Sequence, residues 1–195
     1  FGAEDATPED RARLPAIKSF KPPRLHSASG LAGVWAEENT RDSMFDALKR
    51  KETFATSGTR IKVRFFAGYA LNNAPLDSPD LVSTAYQDGT TMGGTLKADG
   101  DRQPTFFTWA VADPNTAQLQ RVQIIKGWLE EGEHQEHVYD VACSDGLIVD
   151  SQTHRCPNNG ARVNLNDCSI TANVGAAELK SLWQDPDFIP GQEAF

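Results

Sequence analysis

Glu37, Glu38 and Asn39 are the consecutive polar residues whose types and placing best suit chemistry in this chain. They follow the apolar run Leu31 to Trp35, short enough for a buried strand, and come just before a helix start at Thr40. In α/β barrels the C-terminal end of a strand is the rim where catalytic and ligand-binding residues gather. Two adjacent carboxylates ahead of a helix also suit its dipole and its open N–H groups, so capping is the competing use of the same residues.

The elements around this corner can be read from pattern and turn residues. Thr40 is a suitable N-cap, Asp42 lies in the first turn, and Lys49, Arg50 and Lys51 load the last turn with cations. Met44, Phe45 and Leu48 share one helical face. After a Ser57-Gly58 turn, Ile61, Val63 and Phe65 alternate with Lys62 and Arg64 as in a half-buried strand. Upstream, Thr7-Pro8-Glu9-Asp10 predicts a short helix stopped by Pro15, then an extended connector in which His26 is a surface residue.

From Ala67 to Gln103 turn dipeptides dominate, and Leu81-Val82 with Ala85-Tyr86 predict a strand among them. Gly93-Gly94 lacks the Lys-Ser/Thr and helix of a phosphate loop. Three β patterns follow, at Thr105 to Val111, Leu119 to Trp128 and His137 to Cys143, and predict an antiparallel meander. His134 and His137 read as solvated turn and strand-edge residues. Glu178, Leu179, Leu182 and Trp183 predict an amphipathic helix over Ala176 to Trp183, stopped by Asp185-Pro186.

With 195 residues, 39% hydrophobic and 24% charged, the composition is that of a soluble globular protein. A net charge of -8 argues against a nucleic-acid groove. No apolar run is long enough to span a bilayer, and FGAEDATPED has no signal-peptide pattern. A start at Phe1 reads as a trimmed or processed chain. Cys143, Cys156 and Cys168 match no paired zinc spacing. Disulfide bonding is the favoured reading and implies a periplasmic or secreted protein, with one cysteine left free or paired outside the chain. No nucleophile elbow, P-loop, dinucleotide fingerprint or HExxH occurs, and composition and spacing alone name no catalytic or metal site. A different class is a non-catalytic, β-sandwich-like binding or accessory module, with Trp109, Trp128 and Tyr139 as ligand-stacking residues; core packing is the competing role of those rings.

The run GLAGVWAEENTRDSMFDALKRKETFATSGTRIKVRFF closely resembles a segment of the bacterial domain of unknown function family 3604. MGGTL at Met92, DPNTAQLQRVQIIKGW from Asp113, VYDVACSDG from Val138, HRCPNNGA from His154 and GAAELKSLWQDPDF from Gly175 extend the resemblance over nearly the whole chain. That family is similar to the polymerase-and-histidinol-phosphatase (PHP) superfamily of metal-dependent phosphoesterases, which are distorted barrels holding divalent metals. The resemblance implies a mixed α+β chain. Residues 1–66 would be the final strand–helix of a PHP-like barrel, and residues 67–195 a β-rich antiparallel region with cysteine loops and a short C-terminal helix. It also implies a Zn, Mn or Mg ion whose main ligands lie on an N-terminal portion outside this chain. Glu37, Glu38 and Asn39 would be rim residues, and Arg60 would receive a small anionic substrate or pair with one of the acids.

Overall fold

The computed structural model describes residues 30–73, 75–167 and 169–195; the expected N-terminal helix, His26 and Cys168 lie outside them. Strand β1 (Ala32–Val34) pairs antiparallel with β2 (Thr53–Ala55), and helix α1 (Arg41–Lys49) connects them. Thr40 is the N-cap, as its position suggests: its backbone is extended and its Oγ1 accepts from the Ser43 N–H at 3.3 Å. The apolar face expected on α1 is not its buried face. Only Ala47 is buried, while Phe45 is 63% exposed and Leu48 53%.

The central sheet has the order β4-β3-β5-β8, with β3 (Lys62–Gly68), β4 (Thr90–Thr91), β5 (Thr105–Val111) and β8 (Glu178–Gln184). The boundary expected between residues 66 and 67 falls inside β3. β8 replaces the helix expected at Ala176 to Trp183. Its residues satisfy a two-residue period as well as a helical one, and seven of them lie in register along β5 from Glu178 opposite Val111 to Gln184 opposite Thr105. A helix there would leave that edge of β5 without backbone partners.

The Leu81-to-Tyr86 segment is the reverse case: it forms helix α2 (Leu81–Asp88), not a strand. Leu81 and Ala85, one helical turn apart, are buried against Phe66, Leu71 and Phe107. Burying each of the Leu and Phe side chains among them contributes roughly 1.5–3 kcal/mol.

β6 (Arg121–Glu130) and β7 (Glu133–Cys143) form a long hairpin. Its turn is the two-residue Glu131-Gly132, both with positive φ (52° and 86°), as a type I′ turn requires. The expected meander is therefore broken. β6 follows β5 in the chain, but β5 lies between β3 and β8 and makes no ladder with β6. The hairpin docks on one face of the central sheet through Tyr139, whose ring lies 5.0 Å from Trp183. Phe65, Phe106 and Trp183 continue that aromatic contact across the sheet, at 5.8 and 5.6 Å. Polar clasps reinforce it: Lys126 meets Asp185 at 2.6 Å, and the Tyr139 hydroxyl donates to Asp187 at 2.6 Å. A Cys143–Cys156 disulfide ties the following loop to the end of β7. Every strand pairing among the described residues is antiparallel. The result is a β-rich α+β architecture with two short α-helices among those residues.

Candidate functional site

Glu37, Glu38 and Asn39 form an exposed bend between β1 and α1. The helix start is satisfied without their side chains: Thr40 supplies the cap, and the Glu38 backbone N–H donates to Ser43 Oγ at 3.2 Å. Among the described residues neither carboxylate has a hydrogen-bond or ion-pair partner. Arg60 lies elsewhere, ahead of β3, with an exposed side chain. Its backbone N–H donates to Asp113 Oδ2 at 2.9 Å. The N–H groups of Asn115 and then Arg60 hold the Asp113 carboxyl below its usual range. No described ion pair joins Arg60 to Glu37 or Glu38.

A more closely knit group lies two residues before this corner, around Trp35. The guanidinium of Arg64 sits 3.6 Å from the Trp35 ring centroid, and its Nη1 donates to the Tyr86 hydroxyl at 2.9 Å. Trp35 is fixed in turn: its Nε1 donates to the Val63 carbonyl at 2.8 Å, and Phe54 packs against it at 5.8 Å. Phe54 reaches it by crossing Gly33, its partner in the β1–β2 ladder, where any Cβ would meet the ring within 3 Å.

Tyr86 passes its own proton-donating bond to Glu52, a carboxylate only 3% exposed. Glu52 also accepts from Thr91 Oγ1 at 3.3 Å and meets Arg50 at 3.4 Å, so its buried charge is compensated. Burial, and then the bond to Glu52, raise the Tyr86 pKa, so the phenol stays neutral. Sequence reasoning placed Arg64 at a solvated strand position. The signal available was its two-residue spacing from Phe66, which puts a cation and a core residue on one face of β3.

The three aromatic candidates are separately engaged. Tyr139 is 1% exposed and packs as core. Trp109 Nε1 donates to Glu178 at 3.0 Å, and Lys126 lies 5.2 Å from the Trp128 ring. The described residues do not fit a divalent metal by themselves. No group of three or more His, Cys, Asp or Glu side chains among them is arranged to hold one, and the corner brings two solvated carboxylates without an imidazole. Among them, too, no helix is long and apolar enough to cross a membrane.

Fold and site together define a β-rich α+β protein with an exposed acidic corner beside a stacked arginine. The chain belongs to the family described as "Protein of unknown function (DUF3604)", whose match spans residues 2–195. Neither the curated proteins nor the solved structures include a match to it.

Proposed function

We propose that the chain forms part of a PHP-like metal-dependent hydrolase acting on a phosphoester. Its Zn, Mn or Mg ligands would lie outside the described residues. In this reading Glu37, Glu38 and Asn39 line the rim of the site, and Arg60 meets the small anionic substrate. One observation carries it: Thr40 does the capping, which leaves both carboxylates exposed and without a described partner. Carboxylates needed only for the helix would be expected to contact its N–H groups. The Cys143–Cys156 disulfide is compatible with an extracellular protein, and the proposed location is the periplasm or outside the cell.

The test is hydrolysis of p-nitrophenyl phosphate with added Mn²⁺, by the 195-residue chain and by a longer protein that includes the proposed metal ligands. The isolated chain should stay at background. In the longer protein, Glu37→Gln and Glu38→Gln should each lower kcat/KM by about tenfold with the melting temperature unchanged. Robust turnover by the isolated chain would overturn the placing of the metal ligands. Unaltered kinetics in both variants would remove the rim from the mechanism, and no turnover by the longer protein would favour the non-catalytic binding module.

A further inference from the structure

Strand pairing brings Arg64 of β3, Trp109 of β5 and Lys180 of β8 into one row across the central sheet. Directly opposed residues share a face. The row therefore lies on the α2 side, next to the core row Phe66, Phe107 and Leu182. Lys62 falls on the same face of β3, one pleat further out. In a chain of net charge -8, this strip gathers three cations on one face of the sheet.

The cations are held rather than dangling. Lys180 Nζ lies 4.7 Å from the Trp109 ring centroid and 3.2 Å from Glu178. Arg64 lies over the Trp35 ring while its bond to Tyr86, anchored by buried Glu52, fixes one edge of its guanidinium. The two carboxylates around the row are already occupied. Glu52 takes Tyr86, Thr91 and Arg50, and Glu178 takes Trp109 and Lys180. Only one N–H group of Arg64 has a partner among the described residues, so the rest of its planar fork is available. A guanidinium immobilised by stacking has already lost the rotamer freedom that binding would otherwise cost.

We propose that this row is an oxyanion-binding site, with Arg64 receiving the phosphate group of a phosphate monoester. Lys62 and Lys180 add to the local positive field, and Tyr86 and Glu52 are positioning residues that act through Arg64. This deepens the hydrolase reading by adding Arg64 to Arg60 among the cations that meet the substrate, and rests on that reading only in taking the bound ester to be a substrate. Phosphate binding by this chain together with no turnover by the longer protein would therefore overturn the hydrolase reading and leave this one standing.

The experiment is an NMR titration of the ¹⁵N-labelled full chain with inorganic phosphate, then phenyl phosphate, at constant ionic strength. The indole N–H signals of Trp35 and Trp109 should move saturably with either anion, and phenol should move neither. Arg64→Met should weaken the affinity by about tenfold or more, and Arg64→Lys, which keeps charge without the fork, by less. Tyr86→Phe keeps the ring packed on Phe66 and should weaken binding as well. No saturable movement in the folded wild-type chain overturns the site. So does an Arg64→Met or Arg64→Lys variant that titrates like wild type. Wild-type affinity in Tyr86→Phe overturns the positioning role.

Discussion

The side chain of Asp140 has no exposed surface, yet it is surrounded as an ion rather than as an acid. Arg121 donates to it at 3.1 Å, Gln123 at 2.6 Å and the Cys156 backbone N–H at 2.6 Å. Burial alone would raise its pKa, but the Cys156 and Gln123 bonds and the Arg121 charge outweigh that and hold the carboxyl below its usual range. A depressed folded-state pKa adds stability above the unfolded value, and the gain is lost as pH falls through the folded one. Asp140→Asn should therefore destabilise the chain by about 3 kcal/mol at neutral pH, because it leaves Arg121 facing a neutral amide that presents its own N–H groups. Urea denaturation at a series of pH values checks the sign: the gap between variant and wild type should narrow as acid protonates the Asp140 carboxylate. At this scale the sequence was partly legible. Thr40 as a cap follows from residue type and position. Asp140 and Arg64 do not, because what makes each of them special is a set of partners brought in by other elements, 19 residues away for Arg121 and 22 for Tyr86.

Elements were legible where one period excluded the other. β5, β6 and β7 have aromatic and β-branched runs too long and too alternating for anything but strands, and the structure has them. Glu178 to Trp183 fits either period, and the open edge of β5 decides in favour of a strand. Leu81 to Tyr86 also fits either, and the spacing of Leu81 from Ala85 over the core decides in favour of a helix. Cysteine usage pointed to disulfides without choosing partners. The chosen pair, Cys143 and Cys156, closes a loop with a sequence separation of 13. Cys156 is also the residue whose N–H binds Asp140, so the bridge and the buried ion hold the same strand end. Replacing both cysteines with alanine should cost about 3 kcal/mol, the loop-closure value for a ring of this size. The loss should appear in thermal denaturation of the oxidised proteins. A double variant that melts with wild type would show that the Asp140 cluster holds the loop unaided.

For the whole molecule, the central sheet separates two sets of contacts onto its two faces. On one face, Phe66, Phe107 and Leu182 pack under α2, and the cation row lies at their border. On the other, Phe65, Phe106 and Trp183 meet Tyr139 and carry the β6–β7 hairpin. None of this layering could be read from local pattern, because Arg64, Trp109 and Lys180 become neighbours only through ladders between strands far apart in the chain.

The Tyr139–Trp183 contact also makes the molecule its own optical gauge. At 5.0 Å between ring centres, an excited phenol should pass its energy to the indole, so Tyr139 is expected to be dark while the hairpin is docked. Acid or denaturant that lifts the hairpin before the sheet unravels should release tyrosine emission ahead of any red shift in tryptophan emission. In Tyr139→Phe that early signal should vanish, while simultaneous changes in both bands of the parent protein would show hairpin and sheet to come apart as one unit.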